Sequence, residues 1–134
     1  MAGADEILVT LPGGRRVDAQ VGAHVIRTDQ PRDNGGEDTA PAPFEYFLAS
    51  IGTCAGIFVQ GFCAKRDLPY QRIRIVQRMS YAADGALTGV DLEIQVPPDF
   101  PGKYHEALVR VADKCSVKKA IADQPGFAVR TVVG

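Results

Sequence analysis

The stretch PFEYFLASIGTCAGIFVQGFCAKR, residues 43–66, decides the fold. Pro43 suits the first turn of a helix, where its missing N–H costs nothing. No charged residue stands between Glu45 and Lys65, and Phe44, Phe47, Leu48, Ile51, Ala55, Ile57, Phe58, Val59 and Phe62 point in every direction around a helical wheel. A helix that is apolar all round is expected to be buried all round. Gly52 and Gly56, with Gly61 beyond them, leave one face bare enough for close backbone approach. The same G-x-x-x-G raises a membrane reading, for which about twenty apolar residues would be needed. Ser50, Thr53, Gln60 and three glycines dilute the run and Glu45 closes one end, so a buried core helix is expected and no membrane partner.

The flanking segments supply what such a helix packs against. Ile7, Val9 and Leu11 alternate before the turn Pro12-Gly13-Gly14, Val17, Ala19 and Val21 alternate after it, and His24 to Thr28 makes a third strand. From Asp29 to Pro43, prolines, glycines and five charged residues describe a loop long enough to be functional or partner-facing. Beyond the helix, Ile73, Ile75, Gln77, Met79 and Tyr81 form one strand face, Asp84-Gly85 turns the chain, and Val90, Leu92, Ile94 and Val96 return it as a hairpin. Pro101 opens a second helix, Cys115-Ser116 breaks it before a shorter one through Ala122, and Phe127 to Val133 reads as a last strand. The order βββ-α-ββ-αα-β predicts an α+β fold in a single domain, residues 1–134. One chain of this length cannot cover the central helix on every side, which predicts a two-fold homodimer with the apolar helices near its centre.

Composition narrows the function. The chain has 134 residues, 46% hydrophobic and 23% charged, which excludes disorder. Lys+Arg 15 against Asp+Glu 16 gives no basic excess for nucleic acid or anionic lipid. The start Met-Ala-Gly-Ala-Asp-Glu has neither a basic segment nor an apolar run, so no secretory signal is expected. Three cysteines then read as reduced thiols in a cytoplasmic setting rather than a disulfide scaffold.

Cys54 and Cys63, nine residues apart on one helix, lie on opposite faces and cannot easily serve one site. Cys63, between Phe62 and Ala64, reads as a small buried hydrophobe. Cys54 sits in Gly-Thr-Cys-Ala-Gly, where small neighbours leave access to its sulfur, yet in mid-helix it gains nothing from its own helix dipole. Cys115 falls at a helix start with Lys114, Lys118 and Lys119 nearby, so local electrostatics make it the readier thiolate. His24 and His105 have no C-x-x-C or H-x-x-x-H company, and no metal or other cofactor is expected. No G-x-S-x-G surrounds any serine, and Gly35-Gly36 lacks the Lys-Ser/Thr of a phosphate loop.

Gly35-Gly36-Glu37-Asp38, Pro41-Ala42-Pro43-Phe44-Glu45, Gly52-Thr53-Cys54 and Lys114-Cys115-Ser116-Val117 together resemble the OsmC/Ohr family, from about His24 to the C-terminus. The resemblance implies an intertwined homodimer in which antiparallel sheets wrap two long central helices. It implies a thiol peroxidase acting on organic hydroperoxides, with Cys54 attacking and Cys115 resolving, which reverses the local ranking of the two thiols. The resemblance also implies a dithiol reductant, a lipoyl group in the best-studied members, that restores the pair by exchange. The peroxidase branch carries glutamate directly after the helix-opening proline, whereas Phe44 stands there and Glu45 follows, a Pro-x-Glu form closer to an OsmC-like branch. The activating arginine of that branch is matched at best by Arg27 or Arg32, which flank the loop entering the helix. Family members often have proline after the second cysteine, where Ser116 stands. The alternatives on the same scaffold are a binding protein for a small apolar ligand, or other thiol–disulfide chemistry.

Overall fold

A computed structural model describes residues 5–133, which divide into two compact units, one ending at Ala49 and one beginning at Ser50. The first holds a three-stranded antiparallel meander, β1 (Leu8–Gly13), β2 (Arg16–Val21) and β3 (His24–Thr28), in the order β1-β2-β3. The β1–β2 register slips between Thr10 and Gly13, where Pro12 has no N–H to give to the ladder. Gly14 and Gly22 turn the chain at φ 59° and 58°, a left-handed conformation that a side chain would resist.

The loop that follows is tied by one buried carboxylate. Asp29 accepts hydrogen bonds from the Gln30 N–H at 2.8 Å, the Thr39 N–H at 3.1 Å and the Thr39 hydroxyl at 2.6 Å. Those bonds hold its carboxyl down at about 2, the Thr39 hydroxyl contributing most. A Cβ on Gly36 would lie 2.0 Å from the Gln30 carbonyl oxygen, so the loop closes only because Gly36 has none. The glycine pair therefore serves the backbone of the loop.

Helix α1 (Pro43–Ala64) begins in this unit, at the proline that predicted it. The Glu45 carboxylate reaches back to accept the Ala42 N–H at 2.9 Å, satisfying an amide that the helix start would otherwise leave unpaired. The Tyr46 hydroxyl donates to the Arg27 carbonyl at 2.6 Å and fastens β3 to the first turn.

In the second unit α1 continues against a hairpin, β4 (Arg74–Tyr81) and β5 (Leu87–Gln95), paired antiparallel from Arg74↔Gln95 to Tyr81↔Leu87. Asp84 accepts the Ala86 N–H in the turn, and Gly85 takes φ 90°. A 3-10 turn at Gly102–Tyr104 leads into α2 (His105–Ala112), and α3 (Ser116–Asp123) follows. Ile51, Ala55, Val59 and Cys63 are buried, and the last three join Phe100, Leu108 and Ala112 in the core. Their four-residue spacing is one stripe of a helix. Burying Leu108 alone contributes about 1.5–3 kcal/mol. The small residues of α1 meet the hairpin: a Cβ on Gly52 would stand 2.5 Å from the Gln77 Oε1, and one on Gly56 would stand 3.8 Å from Ile75.

Within one chain α1 is buried along a single stripe, and Phe44, Phe47 and the 62%-exposed Ile57 remain on the surface. One expectation needs correction. Residues 127–133 form no strand; Phe127 and Val129 are 91% and 98% exposed. Alternation favours a strand only where a neighbour supplies the ladder hydrogen bonds, and none pairs with this segment among the described residues. By length and composition α1 is the one described helix able to cross a membrane, and its buried stripe makes it the core helix of the second unit.

Candidate functional site

Cys54 lies in the middle of α1, on the face opposite Cys63. The chain turns out of α2 at Asp113-Lys114 and re-enters a helix at Ser116, which leaves Cys115 as the residue capping α3, at φ −53° and ψ 127°. That cap presents the first amides of α3 to Cys54. The Cys54 sulfur interacts with the N–H groups of Val117 and Ser116, the Ser116 hydroxyl and the Cys115 thiol. Two sulfurs far apart in sequence are thus neighbours in space, and both are free thiols.

The same arrangement separates the acidities of the two thiols. Burial by itself would push Cys54 up, but the hydrogen bonds, led by the Val117 N–H, outweigh it and hold the thiol below its ordinary value. Burial pushes Cys115 up. The Val117 and Lys118 amides oppose that effect, while the neighbouring Cys54 sulfur keeps the Cys115 proton in place. The Cys115 thiol also lies 3.9 Å from the Ile51 carbonyl oxygen, to which it donates.

Local sequence electrostatics gave the opposite order. The start of α3 is indeed a thiolate-stabilising place, but its amides point at Cys54. Cys115, as the cap, is only 3% exposed and loses solvation. Lys118 is engaged by Asp113 in an exposed ion pair. Cys63 is fully buried and its thiol is pushed up by desolvation, with the nearby Arg66 charge opposing the shift.

The other residues singled out from the sequence lie in the first unit and have local roles there. Glu45 caps α1, Arg27 offers its carbonyl to Tyr46 from within β3, and Arg32 opens the 3-10 turn Arg32–Asn34, where its carbonyl accepts the Gly35 N–H. The structure brings Cys54 and Cys115 together. Sequence reasoning overlooked Ser116 and Val117 as donors to Cys54, although a cysteine–serine pair at a helix start was the available signal. No group of three or more metal-ligating side chains occurs among the described residues. His105 stacks on Phe100 at 6.1 Å between ring centroids.

Beside the cysteine pair lies an apolar cavity of about 320 Å³, walled by β5, α2, α3 and the Ile51 turn of α1. Cys115 lines it, and Asp113 and Lys118 supply polar groups among its lining residues.

Comparison with known proteins agrees with this geometry at the level of the fold. A TM-score of 0.74 relates the chain to a Psychrobacter arcticus protein named for osmotic stress and the detoxification response, 22% identical over 90% of each chain. An organic hydroperoxide resistance protein OsmC of Legionella pneumophila is 23% identical, with 87% of this chain and 88% of that one covered and a TM-score of 0.58. The organic hydroperoxide resistance protein OhrB of Bacillus subtilis is 22% identical, with coverages of 89% and 92% and a TM-score of 0.56. No curated protein matches significantly. The family model for OsmC-like proteins matches residues 35–130, a span that contains both cysteines, and the chain belongs to that family.

Proposed function

We propose that this protein is a thiol peroxidase that reduces organic hydroperoxides through Cys54 and Cys115. The observation that carries the reading is the set of donors gathered on the Cys54 sulfur by the start of α3. A thiolate held there attacks the terminal peroxide oxygen, the O–O bond breaks, and an alcohol leaves once the alkoxide gains a proton. Cys54 becomes a sulfenic acid. The Cys115 sulfur, already in contact, displaces hydroxide, released as water, and a disulfide forms before further oxidation can occur. A dithiol then reduces that disulfide and is itself oxidised.

Cys54 is the nucleophile because its ionised form is the better stabilised of the two, and Cys115 resolves because it keeps its proton until Cys54 is oxidised. Glu45, Arg27 and Arg32 are assigned supporting roles at the entrance of α1, with an arginine orienting the peroxide in the assembled protein. The working form is an intertwined homodimer, supported by the exposed apolar side chains of α1 and of residues 127–133.

Mixing reduced protein with one equivalent of cumene hydroperoxide and counting free thiols tests the reading. Two of the three thiols should disappear, and Cys54→Ser should abolish the loss. Three thiols still titratable after exposure would end it.

A further inference from the structure

Helix α3 has little of its own to hold it in place. It is eight residues long and none of them is buried, and a helix that short is marginal without tertiary support. Its charges oppose its dipole: the first turn carries no acidic residue, Lys118 and Lys119 stand third and fourth, and Asp123 stands last. It ends at Gln124 in the left-handed region, φ 50°, where glycine is the usual occupant.

What α3 does have at its start is Cys54. The Ser116 and Val117 N–H groups and the Ser116 hydroxyl converge on that sulfur. An anion there satisfies donors that a helix start leaves unpaired and answers the positive end of the dipole. The Val117 and Lys118 amides also face the Cys115 sulfur, but that thiol keeps its proton. Resting on the Cys54–Cys115 pairing of the proposed function, and extending it to regulation of that site, we propose that α3 is a redox-controlled wall of the apolar cavity, held while Cys54 is a thiolate and loosened once the Cys54–Cys115 disulfide forms.

Disulfide formation removes the anion. The oxidant takes two electrons from the two sulfurs, Cys115 gives up its proton, and the Cys54 sulfur becomes a neutral, weakly accepting atom bonded to Cys115. The lysines near the start of α3 then meet the helix dipole with only Asp113, the partner of Lys118, to offset them. Helix α3 supplies Lys118 and Ile121 to the cavity wall. As they withdraw, Leu92 and Ile94 of β5, on the facing wall, become more exposed. The oxidised molecule therefore opens its apolar cavity to solvent further than the reduced one does.

Hydrogen exchange of the full-length protein, read by mass on peptides spanning residues 116–123, tests this. Reduced protein is compared with protein oxidised by diamide, which accepts the two electrons and does not depend on peroxide reactivity. The comparison is made at about pH 8.5, the ordinary thiol midpoint, below which Cys54 is held. Exchange in α3 should be about tenfold faster in the oxidised form, with β4 and β5 unchanged; exchange reports local opening of this kind. Cys54→Ala, which removes the anion without forming a disulfide, should show the fast exchange even when reduced, on protein whose circular dichroism matches the wild type. Lys119→Glu, which gives α3 a negative charge near its start, should slow exchange of the oxidised form about threefold. Equal or slower exchange in oxidised α3, slow exchange in reduced Cys54→Ala, no effect of Lys119→Glu, or failure of diamide to join the two cysteines would each overturn the proposal. Loosening of α3 by diamide, with no disulfide formed by cumene hydroperoxide, would instead overturn the peroxidase reading and leave the redox-controlled wall standing.

Discussion

At the scale of single residues, a redox pair is built by giving two chemically identical side chains different surroundings. Cys54 receives amides and a hydroxyl, while Cys115 receives burial and the neighbouring sulfur. Iodoacetamide should therefore modify Cys54 with a pH midpoint below that of an ordinary thiol, about 8.5, and Cys115 with a midpoint above it. The thiolate is the reacting species, so the rate at each sulfur rises with pH through its own midpoint. Ser116→Pro removes two donors, one N–H and one hydroxyl, at the first position of α3, where proline is well accommodated. The extended ψ of Cys115 already suits a following proline. The variant should fold normally and raise the Cys54 midpoint by at least one unit, since each hydrogen bond to a charged group is worth about 1.5–3 kcal/mol and one unit corresponds to about 1.4 kcal/mol. Alkylation profiles that coincide with the wild type would mean that Ser116 does not hold the thiolate.

At the scale of elements, Asp29 organises the loop leading to α1. Its carboxyl titrates at about 2 when folded and near 3.9 when unfolded, so between those values the unfolded chain binds more protons. Stability must then rise with pH across that window, be complete above about 4, and be lost as pH falls through about 2. Urea unfolding followed from pH 2 to 5 should show a shallower slope in Asp29→Asn than in the wild type. The elements themselves were largely legible in the sequence, because strand alternation, turn glycines and Pro43 are local signals. The hairpin β4–β5 and helix α1 appear where periodicity placed them. The site was legible only in part. That a helix begins after Cys115 follows from neighbouring residues, but which sulfur its amides would face depends on how α1 and α3 pack, and spacing along the chain does not encode that. The run from Phe127 to Val133 failed for a related reason, since a strand requires an edge to pair with and the pattern does not name one.

At the scale of the whole molecule, one chain leaves large apolar side chains uncovered on α1 and along its C-terminal segment. Uncovered apolar side chains of this size mark an interaction surface when they gather into a patch, so multi-angle light scattering should return twice the chain mass, and Val129→Asp with Ile57→Asp should shift that mass toward the single chain. A dimeric mass unchanged by both substitutions would place the interface elsewhere. The adjacency of Cys54 and Cys115 has a thermal consequence as well. They stand 61 positions apart, so a covalent link between them would tether a large part of the unfolded chain and stabilise the native fold by about 4 kcal/mol. Melting curves would then register the redox state directly: the oxidised protein should unfold about 10 °C or more above the reduced one, and the difference should vanish in Cys115→Ser. A calorimeter could in this way read the redox state of the pair without any dye or thiol-labelling reagent.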